Sequence, residues 1–233
     1  MKFEITPIAF VRSCFQEKFA TPRQPGLVTA ATGSIELLPP FNDADTVSGL
    51  ENCSHIWLQF VFHQCIDQGW KAKVRPPRLG GNKKMGVFAT RATHRPNALG
   101  LSVVKLESIS TTNNQVILNV SGLDLIDGTP VVDIKPYIPY SDSLTQAHYR
   151  FAQEAPKQLT VVFTDPVQSQ LKKNPNLKQL IEQVLAQDPK PAFHRVDSER
   201  EYGAKLAQHN VKWRYLSDNS EVWIEVCTLE LIR

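Results

Sequence analysis

The sequence predicts a mainly β N-terminal barrel followed by a smaller α+β domain. The first ~140 residues are short apolar-alternating runs separated by Gly, Pro and Asn turns, with almost no helical periodicity. Strands of that kind remove their exposed edges most completely by closing into a barrel. After Ser141 the pattern changes to one strand, two helical stretches and a hairpin. The expected division is residues 1–150 for the barrel and 151–233 for the α+β domain.

Phe3 to Val11 alternates loosely and reads as the first strand, with Pro7 marking an edge or bulge. Arg12 to Gly26 is a loop in which Pro22 and Pro25 stiffen the chain around Arg23 and Gln24, a candidate binding edge. Leu27 to Ala30 and Ser34 to Leu38 read as short strands around a Thr32-Gly33 turn. Asp43 to Leu50 fits one or two helical turns capped by Asn42 or Asp43. Ser54 to Phe62 is a long strand with Ile56, Leu58, Phe60 and Phe62 on one face. Cys53 and His55 begin it, and His63 and Cys65 follow it, which resembles a metal set. Ten residues of strand hold the pairs roughly 30 Å apart, far beyond a shared ion, so no metal is expected.

Met85 to Thr90 reads as a strand that delivers Arg91 to Asn97, a loop with two arginines, a histidine and an asparagine. Leu99 to Ile109 and Gln115 to Leu123 form a hairpin across Asn113-Asn114. In the C-terminal part, Leu159 to Phe163 is a strand, and Asp165 to Asn174 and Pro175 to Gln187 are helices. Leu177, Leu180, Ile181, Val184 and Leu185 recur at helical spacing and mark a core stripe. Val211 to Leu216 and Val222 to Leu231 make a hairpin over Asp218 to Ser220. The rigid Asp188 to Arg195 loop ends in a basic pair and is expected either to reach towards the barrel or to lie as a plain surface loop.

The 233 residues, 42% of them apolar, suffice for a substantial core. No apolar run reaches the ~20 residues of a membrane span, and the N-terminus lacks the apolar core of a signal peptide. Four cysteines without a CxxC pair suit a reducing cytoplasm. The expectation is a cytoplasmic protein without membrane contact.

Net charge is only +3, but its distribution is lopsided. Between Asp67 and Glu107 there is no acidic residue, while Lys71, Lys73, Arg75, Arg78, Lys83, Lys84, Arg91, Arg95 and Lys105 fall in that interval. A concentrated positive field of this kind points to a polyanion, nucleic acid above all. Gly80-Gly81-Asn82 within it is too short a pattern to identify a phosphate loop.

The stretch from Asp124 to Tyr137 places Asp124, Asp127, Asp133, Lys135 and Tyr137 in an otherwise strand-like run. Asp127-Gly128 is a turn dipeptide, and Val131 to Ile134 is a strand. Asp133 and Lys135 should share one face, Val132 and Ile134 the other. Two readings fit: a hairpin with an internal ion pair, or carboxylates lining a polar ligand pocket.

Five motifs in order then resemble one family: Pro22 to Gly26, Val74 to Asn82, Gly86 to Arg91, Arg95 to Asn97, and Asp124 to Tyr137. They resemble the TrmO (YaeB/TsaA-like) family across the whole barrel, and Asp188 to Ala192 resembles its bacterial long form. The resemblance implies an S-adenosylmethionine-dependent tRNA methyltransferase that works as a homodimer. Its target would be the exocyclic nitrogen of threonylcarbamoyladenosine, beside the anticodon of threonine-accepting tRNAs. It also implies that the cofactor is held by Pro22, Arg23, Gln24, His63, Gln64, Arg91, Leu101 and the segment Asp124, Leu125, Ile126, Asp127, Gly128. No role carries over to His94.

Residue chemistry fits that transfer. Asp124 or Asp127 suits a cationic group or a ribose hydroxyl, Arg91 or Arg23 a carboxylate, and backbone groups at Gly128 an adenine edge. Asp133 and Tyr137 are candidates for substrate orientation or proton handling, as catalytic residues. Arg75, Arg78, Lys83, Lys84 and Arg95 are the candidate RNA contacts. The competing readings are a non-catalytic RNA-binding barrel and a methyltransferase acting on a small molecule.

Overall fold

Among the described residues the N-terminal part carries eight strands: β1 (Ala9–Ser13), β2 (Thr32–Leu37), β3 (His55–Val61), β4 (Lys73–Val74), β5 (Met85–Gly86), β6 (Leu99–Thr112), β7 (Gln115–Ser121) and β8 (Pro130–Pro136). Six of them close into an antiparallel barrel in the order β1-β2-β7-β6-β3-β8. This computed structural model describes residues 2–232 apart from 78–79, 81–82, 113–114, 192 and 220. The expected Asn113-Asn114 turn and the Gly80 to Asn82 motif therefore lie wholly or partly outside the described residues.

Strict alternation builds the core. Ile56, Leu58 and Phe60 of β3 are buried, as are Val104 and Leu106 of β6, Leu118 and Val120 of β7, and Ile35 of β2. Gly33 lets β1 and β2 approach, because a Cβ there would lie 2.2 Å from the Arg12 carbonyl oxygen. The ring closes through a short seam, in which β1 and β8 share only the pairs Ala9↔Val131 and Phe10↔Pro130.

Several local expectations change. The first strand begins at Ala9 rather than Phe3. Leu27 to Ala30 forms no strand, because Ala30 N–H bonds a side chain of the C-terminal part instead of a neighbouring strand. Met85 to Thr90 is a strand only to Gly86; a 3₁₀ turn over Val87–Ala89 follows. In β8 an irregularity sets Gln59 opposite Asp133 but Phe60 opposite Val131. Val132 is the extra residue of this bulge, so Val131, fully buried, takes the core position expected of Val132. The 3₁₀ turn Ala44–Val47 is capped by Asp43, whose side chain accepts from Asp45 N–H.

A four-residue helix α1 (Pro139–Asp142) leaves the barrel. The C-terminal part then contains β9 (Thr160–Phe163), α2 (Asp165–Leu171), α3 (Pro175–Ala186), β10 (Glu201–Leu206), β11 (His209–Asp218) and β12 (Glu221–Leu231). Its sheet runs β10-β11-β12-β9, with β9 parallel to β12. The predicted stripe on α3 is buried, together with Trp213, Tyr215 and Val226 of the sheet. Asn174 caps α3 by accepting from Leu177 N–H at 3.1 Å. Strand β10 went unpredicted. The Asp188 to Arg195 loop folds back on its own sheet rather than towards the barrel: Lys190 pairs with Asp188 at 2.8 Å and lies 4.9 Å from the Tyr215 ring.

The two parts share one continuous core. Their contact runs through the segment after β1, where Phe15 bridges to Leu206 and the rings of Phe19 and Trp213 stack at 5.8 Å. Among the described residues no helix is long and apolar enough to cross a membrane.

Candidate functional site

Four separate pieces of chain meet at one end of the barrel. The loop carrying Pro22 to Gln24 follows β1, and His63 and Gln64 open the 3₁₀ turn His63–Gln68 after β3. Arg91 follows the 3₁₀ turn after β5, and Asp124 to Gly128 connects β7 to β8. Direct bonds tie them. An Arg91 guanidinium N–H donates to the Gln24 side-chain oxygen. Lys18 Nζ donates to the Gln64 carbonyl at 2.8 Å. Gly26 N–H bonds the Gly122 carbonyl at 2.9 Å, fastening the loop beside the start of the acidic segment.

Asp124 is the most unusual group of the site. Burial pushes its pKa up to about 6, against opposing effects from a Ser102 hydrogen bond, its own backbone N–H and the Arg91 charge. Among the described residues its Oδ1 is buried without a hydrogen-bond partner. An orphaned carboxylate oxygen is costly unless something satisfies it, and here the cationic Arg91 lies near enough to influence it. Ser102 is 2% exposed and interrupts the apolar inward face of β6 ahead of Val104 and Leu106. That interruption is the signal by which the sequence could have revealed it. Lys18 carried no such signal, since its role comes from where the loop docks.

Asp127 and Gly128 serve the frame more than a ligand. Asp127 Oδ1 accepts from Ser13 N–H at 2.8 Å, and Asp127 N–H donates to Phe15 O at 2.8 Å. Gly128 adopts φ +74, which suits glycine, and its N–H donates to Val11 O at 2.8 Å. That N–H is therefore committed to the frame, and an adenine edge would have to meet other backbone groups there. Leu125 is buried in the core and Ile126 is half-buried. His63 has its pKa lowered, first by burial and further by Lys18, against a raising contact from the Val61 backbone. It is neutral at pH 7.

Three predicted residues lie elsewhere. Leu101, 52% exposed, sits on the outer face of β6 opposite Gln59, and Asp133 flanks the same Gln59 from β8. Asp133 pairs with Lys135 at 3.4 Å, as the ion-pair reading expected. Tyr137 packs on Trp57 at 5.7 Å and His55 at 6.4 Å, and its N–H bonds the His55 carbonyl at 3.0 Å. It is thus at the opposite end of β3 from His63, roughly 25 Å away along the strand. One chain does not bring Tyr137 to the cluster. The same strand separates Cys53 and His55 from His63 and Cys65; among the described residues no group of three or more His, Cys, Asp or Glu side chains could hold a metal ion.

The basic interval projects from the barrel as the β4–β5 pair, with Arg75, Lys83 and Lys84 exposed. Arg78 lies outside the described residues. Lys83 Nζ lies 5.4 Å from the Phe151 ring centroid. Arg95 does not join this surface. It is half-buried, and its Nη1 donates to Thr90 O at 2.7 Å and Val87 O at 3.2 Å, clamping the loop that carries Arg91. Beside the cluster, on the far side of the His63–Gln68 turn, Cys65, Trp70, Thr93 and His94 line an open pocket of about 270 Å³.

Comparison with known proteins matches these features. The family model described as the tRNA-methyltransferase O N-terminal domain matches residues 10–143, and the TrmO C-terminal domain matches residues 156–230. The chain is 49% identical over 227 residues to the Escherichia coli K12 protein named tRNA (adenine(37)-N6)-methyltransferase, covering 95% of this chain and 97% of that one. It is 48% identical over 220 residues to a Pseudomonas aeruginosa protein provisionally named an S-adenosylmethionine-dependent methyltransferase, RcsF, covering 92% and 94%. The crystal structure of TrmO from Pseudomonas aeruginosa superposes with a TM-score of 0.80 at 40% identity over 98% of each chain. A barrel of six antiparallel strands, the cluster at its end and both matched domains lead to one conclusion: the chain belongs to the TrmO family.

Proposed function

We propose that this chain is a tRNA methyltransferase that uses S-adenosylmethionine to methylate the N6 of N6-threonylcarbamoyladenosine, beside the anticodon of threonine-type tRNAs. The observation that carries the reading is the buried Asp124 carboxylate, with one oxygen unpartnered, gathered with Arg91, Gln24 and the Pro22 loop at one barrel end. These residues fit the cofactor: an orphaned carboxylate oxygen suits a cationic group, and an exposed guanidinium suits a carboxylate. When bound, S-adenosylmethionine supplies a methyl group on a positively charged sulfur.

The chain's own residues do the rest. Asp124 offers charge to the cationic part of the ligand, Arg91 or Arg23 holds its carboxylate, and Pro22 fixes the loop that presents Gln24. Neutral His63 and the Gln64 backbone border the site without adding repulsion to the cation. Asp127 and Gly128 hold the acidic segment against β1. Exposed Arg75, Lys83 and Lys84, with Arg78 beside them in sequence, hold phosphates of the RNA. Asp133, on the outer face near Leu101, orients the substrate in this reading. Unpaired anticodon-loop bases are accessible to such a surface. Holding donor and acceptor in line, with water displaced, supplies much of the acceleration.

The reading includes a homodimer, for which the exposed Ile66, Trp70, Phe88 and Leu101 offer apolar surface to cover. It also includes a cytoplasmic location and a division into residues 1–150 and 151–233. Mass analysis of nucleosides from tRNA treated with purified protein tests the activity. A methylated threonylcarbamoyladenosine is expected, with no transfer to tRNA that lacks the threonylcarbamoyl group. Equal transfer to both would exclude that substrate, and transfer to neither would exclude the activity.

A further inference from the structure

The loop that carries Pro22, Arg23 and Gln24 is held along its length by the C-terminal part of the chain. Before the loop, Ala207 N–H donates to Cys14 O at 2.7 Å and Phe15 bridges to Leu206. Within it, Glu17 Oε1 accepts from Lys205 N–H at 3.0 Å, and Phe19 stacks on the fully buried Trp213 with planes 5° apart. After it, Gln183 of α3 accepts from Ala30 N–H at 2.9 Å and donates to Thr29 Oγ1 at 3.1 Å. These six contacts come from β10, the β10–β11 turn, β11 and α3, and they flank Pro22 to Gln24 on both sides.

The loop needs such holding. Ala20, buried and two residues before Pro22, adopts φ 66, a left-handed conformation that a non-glycine residue rarely takes. A strained backbone of this kind persists only where its surroundings over-determine it. On the barrel side the segment from Glu17 to Gln24 is tied by the Lys18–Gln64 and Gln24–Arg91 bonds, both made by long side chains with much freedom to lose.

We infer that the C-terminal part positions the cofactor loop, with Glu17 and Gln183 as positioning residues, so that S-adenosylmethionine meets a loop already ordered by Lys205, Trp213 and Gln183. The inference rests on the assignment of Pro22 to Gln24 as cofactor contacts. Its physical consequence is that an unanchored loop must be ordered by the ligand, and affinity falls by the fraction of molecules in the competent arrangement.

The test measures S-adenosylmethionine dissociation constants by calorimetry on the full chain for Glu17→Ala, Glu17→Gln, Gln183→Ala, Gln183→Glu and Gln24→Ala. Glu17→Ala and Gln183→Ala should each raise the dissociation constant about three- to tenfold, the worth of a lost hydrogen bond. KM for the cofactor should rise in parallel, with kcat at saturation and tRNA affinity unchanged. Glu17→Gln and Gln183→Glu keep the acceptor oxygen for Lys205 N–H and Ala30 N–H, and should restore most of the affinity. A purely structural role would lower melting temperature without this split or rescue. Weakened cofactor binding in Gln24→Ala but not in Glu17→Ala or Gln183→Ala would overturn the inference and leave the loop assignment standing. Unchanged binding in Gln24→Ala would overturn the loop assignment itself. Loss of tRNA affinity with intact cofactor affinity would make the C-terminal part an RNA surface and also overturn it.

Discussion

Ser102 of β6 hydrogen-bonds the Asp124 carboxylate at the barrel end, and among the described residues Asp124 Oδ1 has no partner. Burial outweighs the help of Ser102 and Arg91 to the charged form, and the fold bears that cost.

That cost has a sign. The Asp124 carboxyl titrates near 3.8 when exposed and at about 6 in the folded chain. Between those values the folded state holds the proton and the unfolded state does not, so stability from this group falls as pH rises towards 7. Asp124→Asn should therefore raise stability at pH 7.5, on the order of 1–3 kcal/mol. The same variant should weaken S-adenosylmethionine binding at least tenfold. His63 works in the opposite direction, because its pKa is lowered and the unfolded chain takes its proton first. It is common to both proteins, so subtracting their melting curves across pH 4–8 isolates Asp124. A variant no more stable than the parent at pH 7.5 would refute the buried-charge account.

The β4–β5 projection should govern RNA affinity alone. Replacing Arg75, Lys83 and Lys84 with Ala should flatten the dependence of log affinity on log salt by roughly two to three units, given a slope of about 0.7–0.9 per phosphate contact. Cofactor affinity should stay unchanged. Filter binding from 50 to 300 mM salt measures it, and an unchanged slope would remove these residues from the RNA surface.

Tyr137 is the candidate that a single chain keeps away from the cluster. Its ring packs against Trp57 and His55 at the far end of β3. Tyr137→Phe should leave kcat within about twofold, while Tyr137→Ala should lose about 1–3 kcal/mol of stability from lost ring packing. Steady-state methyl transfer and thermal melting separate the two effects. A hundredfold drop in kcat for Tyr137→Phe would mean that its hydroxyl reaches substrate supplied across a partner copy.

Much of the barrel was legible because its strands obey a two-residue period. Ile56, Leu58 and Phe60 announced β3, and the α3 stripe announced its helix, since burial on one face leaves a pattern in sequence. Strand β10 was missed although Tyr202, Ala204 and Leu206 alternate inwards, because Gly203 and Ala204 favour strands poorly. The Val132 bulge was invisible, since an extra residue in one strand is defined only by its partner. For the site, stiff motifs such as Pro22 to Gly26 could be read directly. The clamp role of Arg95 could not, because the carbonyls it binds are exposed to it only by a 3₁₀ turn that the sequence presents as a strand.

The short β1–β8 junction gives the barrel a latch. Only two residue pairs join these strands, and one of the four residues, Pro130, has no N–H to contribute. Immediately beside them, Gly128 N–H donates to Val11 O and Val11 N–H to Thr129 O at 3.0 Å, so the acidic segment is itself part of the fastening. A ligand drawn to Asp124 would grip the strap that keeps the cylinder shut. Hydrogen exchange at the Val11 and Gly128 amides should slow when S-adenosylmethionine binds, making the cofactor a clasp on the protein that holds it.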